Sequence, residues 1–193
     1  STAVDIFKVN KSEVTKLMRR RAKAVNFGIL YGISNYGLSE DLGISPKEAK
    51  EFIEAYFNTY PGVKNYMDQV IKEAYKNKYV VTLLGRKRIL TELSNTNYVI
   101  RQQGERMALN TPIQGTSADI LKIAMINIYK EMNKRNLKSK MLLQVHDELI
   151  FNALNNEVEE LKEIVKEKME NAYKLDVPLK VDIETGDNWY EAK

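Results

Sequence analysis

The sequence predicts an α+β fold, mainly helical, with helices packed on a small antiparallel sheet. Apolar residues recur at helical spacing within residues 14–29, 49–74, 120–128 and 158–172. Short β-type runs at 80–84 and 89–90, and again at 141–145 and 149–151, flank tight polar segments, as in hairpins. Pro, Gly and capping residues punctuate the joins. With 193 residues, 44% of them hydrophobic, the chain can bury one sizeable core or two small lobes.

Composition excludes several function classes. There is no Cys, so disulfides and thiolate metal sites are out. No apolar run approaches the ~20 residues of a membrane span. The opening Ser1-Thr2-Ala3-Val4-Asp5-Ile6-Phe7 lacks the charged start and long apolar core of a signal peptide. A soluble, cytoplasmic protein without a membrane partner is expected. The net charge is +4, yet Lys8, Lys11, Lys16, Arg19, Arg20, Arg21 and Lys23 crowd into the beginning of the chain, which suits a polyanionic partner.

The first helix is expected from a cap at Ser12 to a stop at Gly32. At 100° per residue, Val14, Met18, Ala22, Val25 and Ile29 fall within about 80° and form the buried stripe. Arg19, Lys23, Phe27 and Tyr31 recur every fourth residue along ~18 Å of the other side. Two cations at one end and two rings at the other match a nucleoside triphosphate laid lengthwise, with phosphates on the cations and base and sugar against the rings. Periodicity alone favours a solvated cationic face beside aromatics that finish the core.

Residues 33–37 read as a turn. Ser45-Pro46-Lys47-Glu48 combines a capping box with Pro at the first helical position, and the helix it starts stops at Pro61-Gly62, where another begins. Gly85-Arg86-Lys87-Arg88 should form the basic tip of the first hairpin, able to touch phosphate or simply solvated. Further on, Arg106 and Asn110 are i, i+4 neighbours near a helix end that Pro112 should impose at Thr111, with Gln114 just beyond. Arg, Asn and Gln can bond the acceptors that every base pair shows in the minor groove. Such residues near a Pro turn also commonly satisfy backbone. A long helix over 117–133 follows. Asp147 and Glu148 then sit at the tip of the second hairpin between strands expected to be buried, a placement that suits Mg²⁺ and its oxygen ligands, although acids also simply favour turns. A helix over 156–173 and a last alternating strand over 177–183 complete the chain.

Three of these patterns carry a resemblance. Arg19-x3-Lys23-x3-Phe27-Gly28-x2-Tyr31-Gly32 resembles the fingers helix of family A DNA polymerases, the DNA polymerase I type. Glu105-Arg106-x-Ala108-x-Asn110-x-Pro112-x-Gln114-Gly115-Thr116 and Val145-His146-Asp147-Glu148 are similar to that family's duplex-contacting and palm motifs, in the same order. Thr91 departs from the Pro found in many relatives and bears only on its loop. The resemblance implies a fingers subdomain over 1–100 and the C-terminal part of a palm over 101–193. It implies dNTP binding by Arg19, Lys23, Phe27 and Tyr31, primer-template contacts by Arg106, Asn110, Gln114 and His146, and catalytic Mg²⁺ on Asp147 with Glu148 assisting. Lys23 is also implied as a proton donor to pyrophosphate.

The family further has a thumb, the first palm strands and another metal-binding Asp upstream of the fingers helix. The missing N-terminal part of the polymerase is therefore an expected partner, and the 193 residues by themselves are expected to be inactive. A single-subunit RNA polymerase shares the Arg, Lys and final Tyr-Gly of the helix, but Phe27 and the run from Arg106 to Gln114 argue against it. A non-catalytic duplex-binding module is the alternative from another class.

Overall fold

The computed structural model describes Val4, Phe7 and residues 9–192; of the basic cluster, Lys8 lies outside these. Two compact units divide the chain, Ser1–Ile113 and Gln114–Lys193.

The first unit is built on α1 (Lys16–Leu30), α2 (Asn35–Leu42), α3 (Pro46–Thr59) and α4 (Pro61–Asn77). Thr15, not Ser12, caps α1, its side chain accepting from the Met18 N–H; Ser12 lies instead in a short 3₁₀ turn, Lys11–Glu13, closed by Asn10 and Glu13. The expected stripe holds at its centre: Val25 and Ile29 are fully buried with Leu38, Ala49 and Tyr56, and Phe52, Ile53 and Phe57 pack against them. Each such aliphatic side chain contributes about 1.5–3 kcal/mol. Residues 35–37, read as part of a turn, instead open a helix that runs to Leu42. Ser34 accepts from the Gly37 N–H, Gly43 closes the helix in the left-handed region, and Leu38 anchors it in the core. A short helix with one deep anchor gains from tertiary packing what its weak periodicity does not announce. The Ser45 and Glu48 capping box, and the restart at Pro61, form as expected.

A two-stranded antiparallel sheet follows, β1 (Tyr79–Val81) paired with β2 (Lys87–Ile89), Val80 opposite Arg88. Lys87 and Arg88 therefore belong to the strand rather than the tip, and the Lys87 ammonium lies 3.8 Å from the Tyr79 ring centroid. Next, α5 (Tyr98–Asn110) packs with α4 around Ala74, Leu90, Leu93 and Ala108. The helix break expected at Pro112 does not occur. Thr111 stays helical (φ −60°, ψ −45°), buried, with its hydroxyl donating to the Met107 carbonyl at 2.7 Å. The backbone widens into a π turn, Thr111–Gly115, and continues as α6 (Thr116–Lys134). A π turn absorbs a Pro that has no N–H to offer the regular ladder.

In the second unit α6 and α7 (Val158–Glu170) bury Ile128, Met132, Leu161, Ile164 and Val165 against one face of the hairpin β3 (Lys140–Val145) and β4 (Glu148–Asn152), from which Met141, Leu149 and Phe151 project. The other face is open, with Leu142 55% and Leu143 45% exposed, so these strands are not the buried pair expected. Residues 177–183 alternate as a strand would but form none. β3 and β4 pair with each other, and a strand exists only where a ladder partner receives it.

Glu157 ties the hairpin to α7. Its carboxylate accepts from the Ser139 hydroxyl at 2.6 Å and from the Lys138 and Ser139 N–H groups, and these bonds hold its pKa below the usual carboxylate range. A depressed folded pKa means stability present above the unfolded Glu value and lost as pH falls through the folded one. Glu157→Gln should therefore lower the thermal midpoint at neutral pH, with the gap to wild type closing in acid. A gap independent of pH would show that the charge plays no part.

Candidate nucleotide and nucleic-acid interface

The α1 face opposite its buried stripe carries the expected residues in order. Arg19 and Lys23 are exposed, and Phe27 is 46% exposed despite being aromatic. The Lys23 ammonium lies 5.9 Å from the Phe27 centroid, and the Phe27 and Tyr31 rings lie 6.2 Å apart, tilted by 31°. Cations and rings thus follow one another along one face of α1 as far as its cap residue Tyr31. Its chemistry suits an anion joined to a flat apolar group.

Two residues that set this face escaped the sequence reading. Tyr56, buried in the core, donates its hydroxyl to Asn26 Oδ1 at 2.8 Å and so fixes the rotation of α1 against α3. Burial raises the Tyr56 pKa, which keeps the donor protonated. The signal for it was only a tyrosine in an otherwise apolar stripe.

On α5, Arg106 is exposed, while Asn110 is half-buried with its side-chain oxygen lacking a hydrogen-bond partner. The helix is braced from behind, where the Tyr75 hydroxyl donates to Glu105 at 2.8 Å. Gln114 is exposed within the π turn, so it follows a widened helix and not a break.

The second unit holds the carboxylates. His146 takes the left-handed conformation (φ +54°), and the Gln144 side chain donates to the His146 carbonyl at 2.9 Å, bracing the tip. His146, Asp147 and Glu148 are all exposed, Glu148 as the first residue of β4 opposite Val145. Hard carboxylate oxygens at this tip fit a divalent cation, as part of a coordination shell. Among the described residues no group of three or more His, Cys, Asp or Glu gathers as a complete cage. Nor, among them, is any helix long and apolar enough to cross a membrane.

Comparisons with known proteins bear on the whole chain. The family model described as DNA polymerase family A matches residues 1–191. DNA polymerase I of Bacillus caldotenax and that of Bacillus subtilis (strain 168) are each 55% identical over 192 residues, covering 100% of this chain and 22% of those proteins. A solved structure described as the POL domain of Pol1 from M. smegmatis, in complex with DNA primer-template and dNTP, is similar with a TM-score of 0.94. It is 47% identical, covering 99% of this chain and 34% of that one. This chain thus spans 22% of the length of the curated relatives named here. By sequence along nearly its full length and by fold, the chain belongs to DNA polymerase family A.

Proposed function

We propose that these residues form the nucleotide-binding fingers and the second part of the palm of a template-directed DNA polymerase, which extends a primer with dNMP from dNTP and releases pyrophosphate. The observation that carries this reading is the α1 face, where two exposed cations and two rings follow one another along a single helix. Arg19 and Lys23 neutralise the triphosphate, Phe27 lies against sugar and base, and Tyr31 borders the nascent pair. Lys23 also serves, in this reading, as the proton donor to the departing pyrophosphate. Arg106, Asn110 and Gln114 hold the primer-template by contacts available at every base pair, with His146 beside the primer end. Asp147, assisted by Glu148, would hold divalent metal, Mg²⁺ in this reading. When bound, such ions activate the primer hydroxyl and stabilise the leaving oxygens.

The test is a chimaera in which this chain replaces the matching segment of the Bacillus caldotenax DNA polymerase I, which supplies the remaining metal ligands. Extension of a primed template with dNTPs is expected. Extension with rNTPs in preference would favour an RNA polymerase, and duplex binding without extension a non-catalytic module.

In the same chimaera Phe27→Tyr should raise incorporation of dideoxynucleotides relative to dNTPs by about tenfold or more, the worth of one hydrogen bond in a charged site. Phe27 has no hydroxyl to stand in for the missing 3′-hydroxyl. Unchanged discrimination in a chain-termination assay would remove Phe27 from the sugar pocket.

A further inference from the structure

The end of α1 is closed by paired backbone bonds, Ile33 N–H to the Gly28 carbonyl at 2.8 Å and Gly32 N–H to the Ile29 carbonyl at 2.9 Å. They place Gly32 at φ +73°, a conformation that favours glycine. Gly43 and Gly85 share that region, and a Cβ on either would meet nothing within 4 Å. Gly32 differs. A Cβ there would stand 3.2 Å from Leu109 Cδ1 and 3.3 Å from Arg106 Cγ, so its bare backbone rests on the aliphatic stem of Arg106.

The backbone on each side of this contact is packed. The Ile33 side chain lies over Gly28, where a Cβ would come within 3.0 Å of Ile33 Cγ2, so the helix end is packed as well as hydrogen-bonded. Behind α5, a Cβ on Gly104 would come 2.9 Å from Leu93 Cδ2, and the Tyr75 to Glu105 bond holds the adjacent turn. Leu109, beside the stem, is buried, while Arg106 itself is exposed and its guanidinium remains available. The nucleotide face thus ends, at Tyr31 and Gly32, on the stem of a residue assigned to the primer-template.

We propose that Gly32 is a positioning residue that joins the two halves of the site: by seating the end of α1 on the Arg106 stem, it makes the fit of the nucleotide and the grip of Arg106 on the primer-template depend on each other. The inference rests on the functional reading above. Binding coupling is reciprocal, so primer-template must tighten dNTP by the same factor as dNTP tightens primer-template.

The experiment measures dNTP affinity of the chimaera with the Bacillus caldotenax enzyme, with Mg²⁺, in the absence and presence of a primed duplex. With the unaltered chain the duplex should tighten dNTP about fivefold or more. Gly32→Ala should abolish that gain, while Gly43→Ala, which carries a comparable backbone penalty in open space, should keep it. A second pair of variants needs no duplex and alters an exposed residue, so it decides the matter even should Gly32→Ala fail to fold. Without DNA, Arg106→Ala, which removes the stem beneath Gly32, should shift dNTP affinity several-fold further than Arg106→Met, which loses the same charge and keeps the stem. Coupling retained in Gly32→Ala, or equal dNTP affinities in the two Arg106 variants, would overturn the proposal. A chimaera carrying the unaltered chain that does not bind dNTP would overturn the functional reading itself, and the coupling with it.

Discussion

Asp147→Ala, in the chimaera with the Bacillus caldotenax enzyme, is expected to cut nucleotide incorporation by about a thousandfold or more, ~4 kcal/mol of transition-state stabilisation. Primer-template affinity should stay nearly unchanged. The side chain is exposed at the hairpin tip, and the left-handed His146 and the Gln144 brace lie in its turn, so removing the carboxylate deletes the proposed ligand without loosening a core. Single-turnover incorporation and a separate DNA-binding titration separate the two effects. Equal losses in rate and binding would mean that Asp147 acts on the duplex and not through metal.

Lys23→Ala should weaken dNTP binding about tenfold to a hundredfold, the range for losing a hydrogen bond to a charged group, and leave duplex affinity alone. Lys23 is exposed on α1 one turn before Phe27, so its loss costs no packing within the core built on Val25 and Ile29. Lys23→Arg should recover part of the affinity, since it restores charge with a different donor geometry. The direct measurement is dNTP titration with Mg²⁺ present. Wild-type affinity in Lys23→Ala would take the phosphate away from this helix and favour a module that binds duplex alone.

Much of the architecture was legible along the chain because it is local. The capping box at Ser45 and Glu48, the Pro61 restart and the Val25 and Ile29 stripe each depend on spacing within one or two turns. The order of Arg19, Lys23, Phe27 and Tyr31 along one face was also fixed by helical period alone, while Asp147 at a turn followed from the β-type runs on either side of it. Ser12 reads as the cap of α1 from its spacing, but it falls in the 3₁₀ turn Lys11–Glu13, and Thr15 caps the helix instead.

Tertiary structure alone decided the rest. Pro112 argues locally for a helix end, but burial of Thr111 and a π turn carry the backbone through it, and so Gln114 sits within a helical turn. Residues 177–183 have a strand's alternation without a strand, because hydrogen-bond partners in a ladder come from elsewhere in a chain. The Tyr56 bond to Asn26 spans 30 positions in sequence, and Gly32 meets Arg106 between two distant helices. Periodicity determines which face of a helix a residue occupies; what that face rests on is set by packing between segments far apart in the chain, which no local pattern encodes.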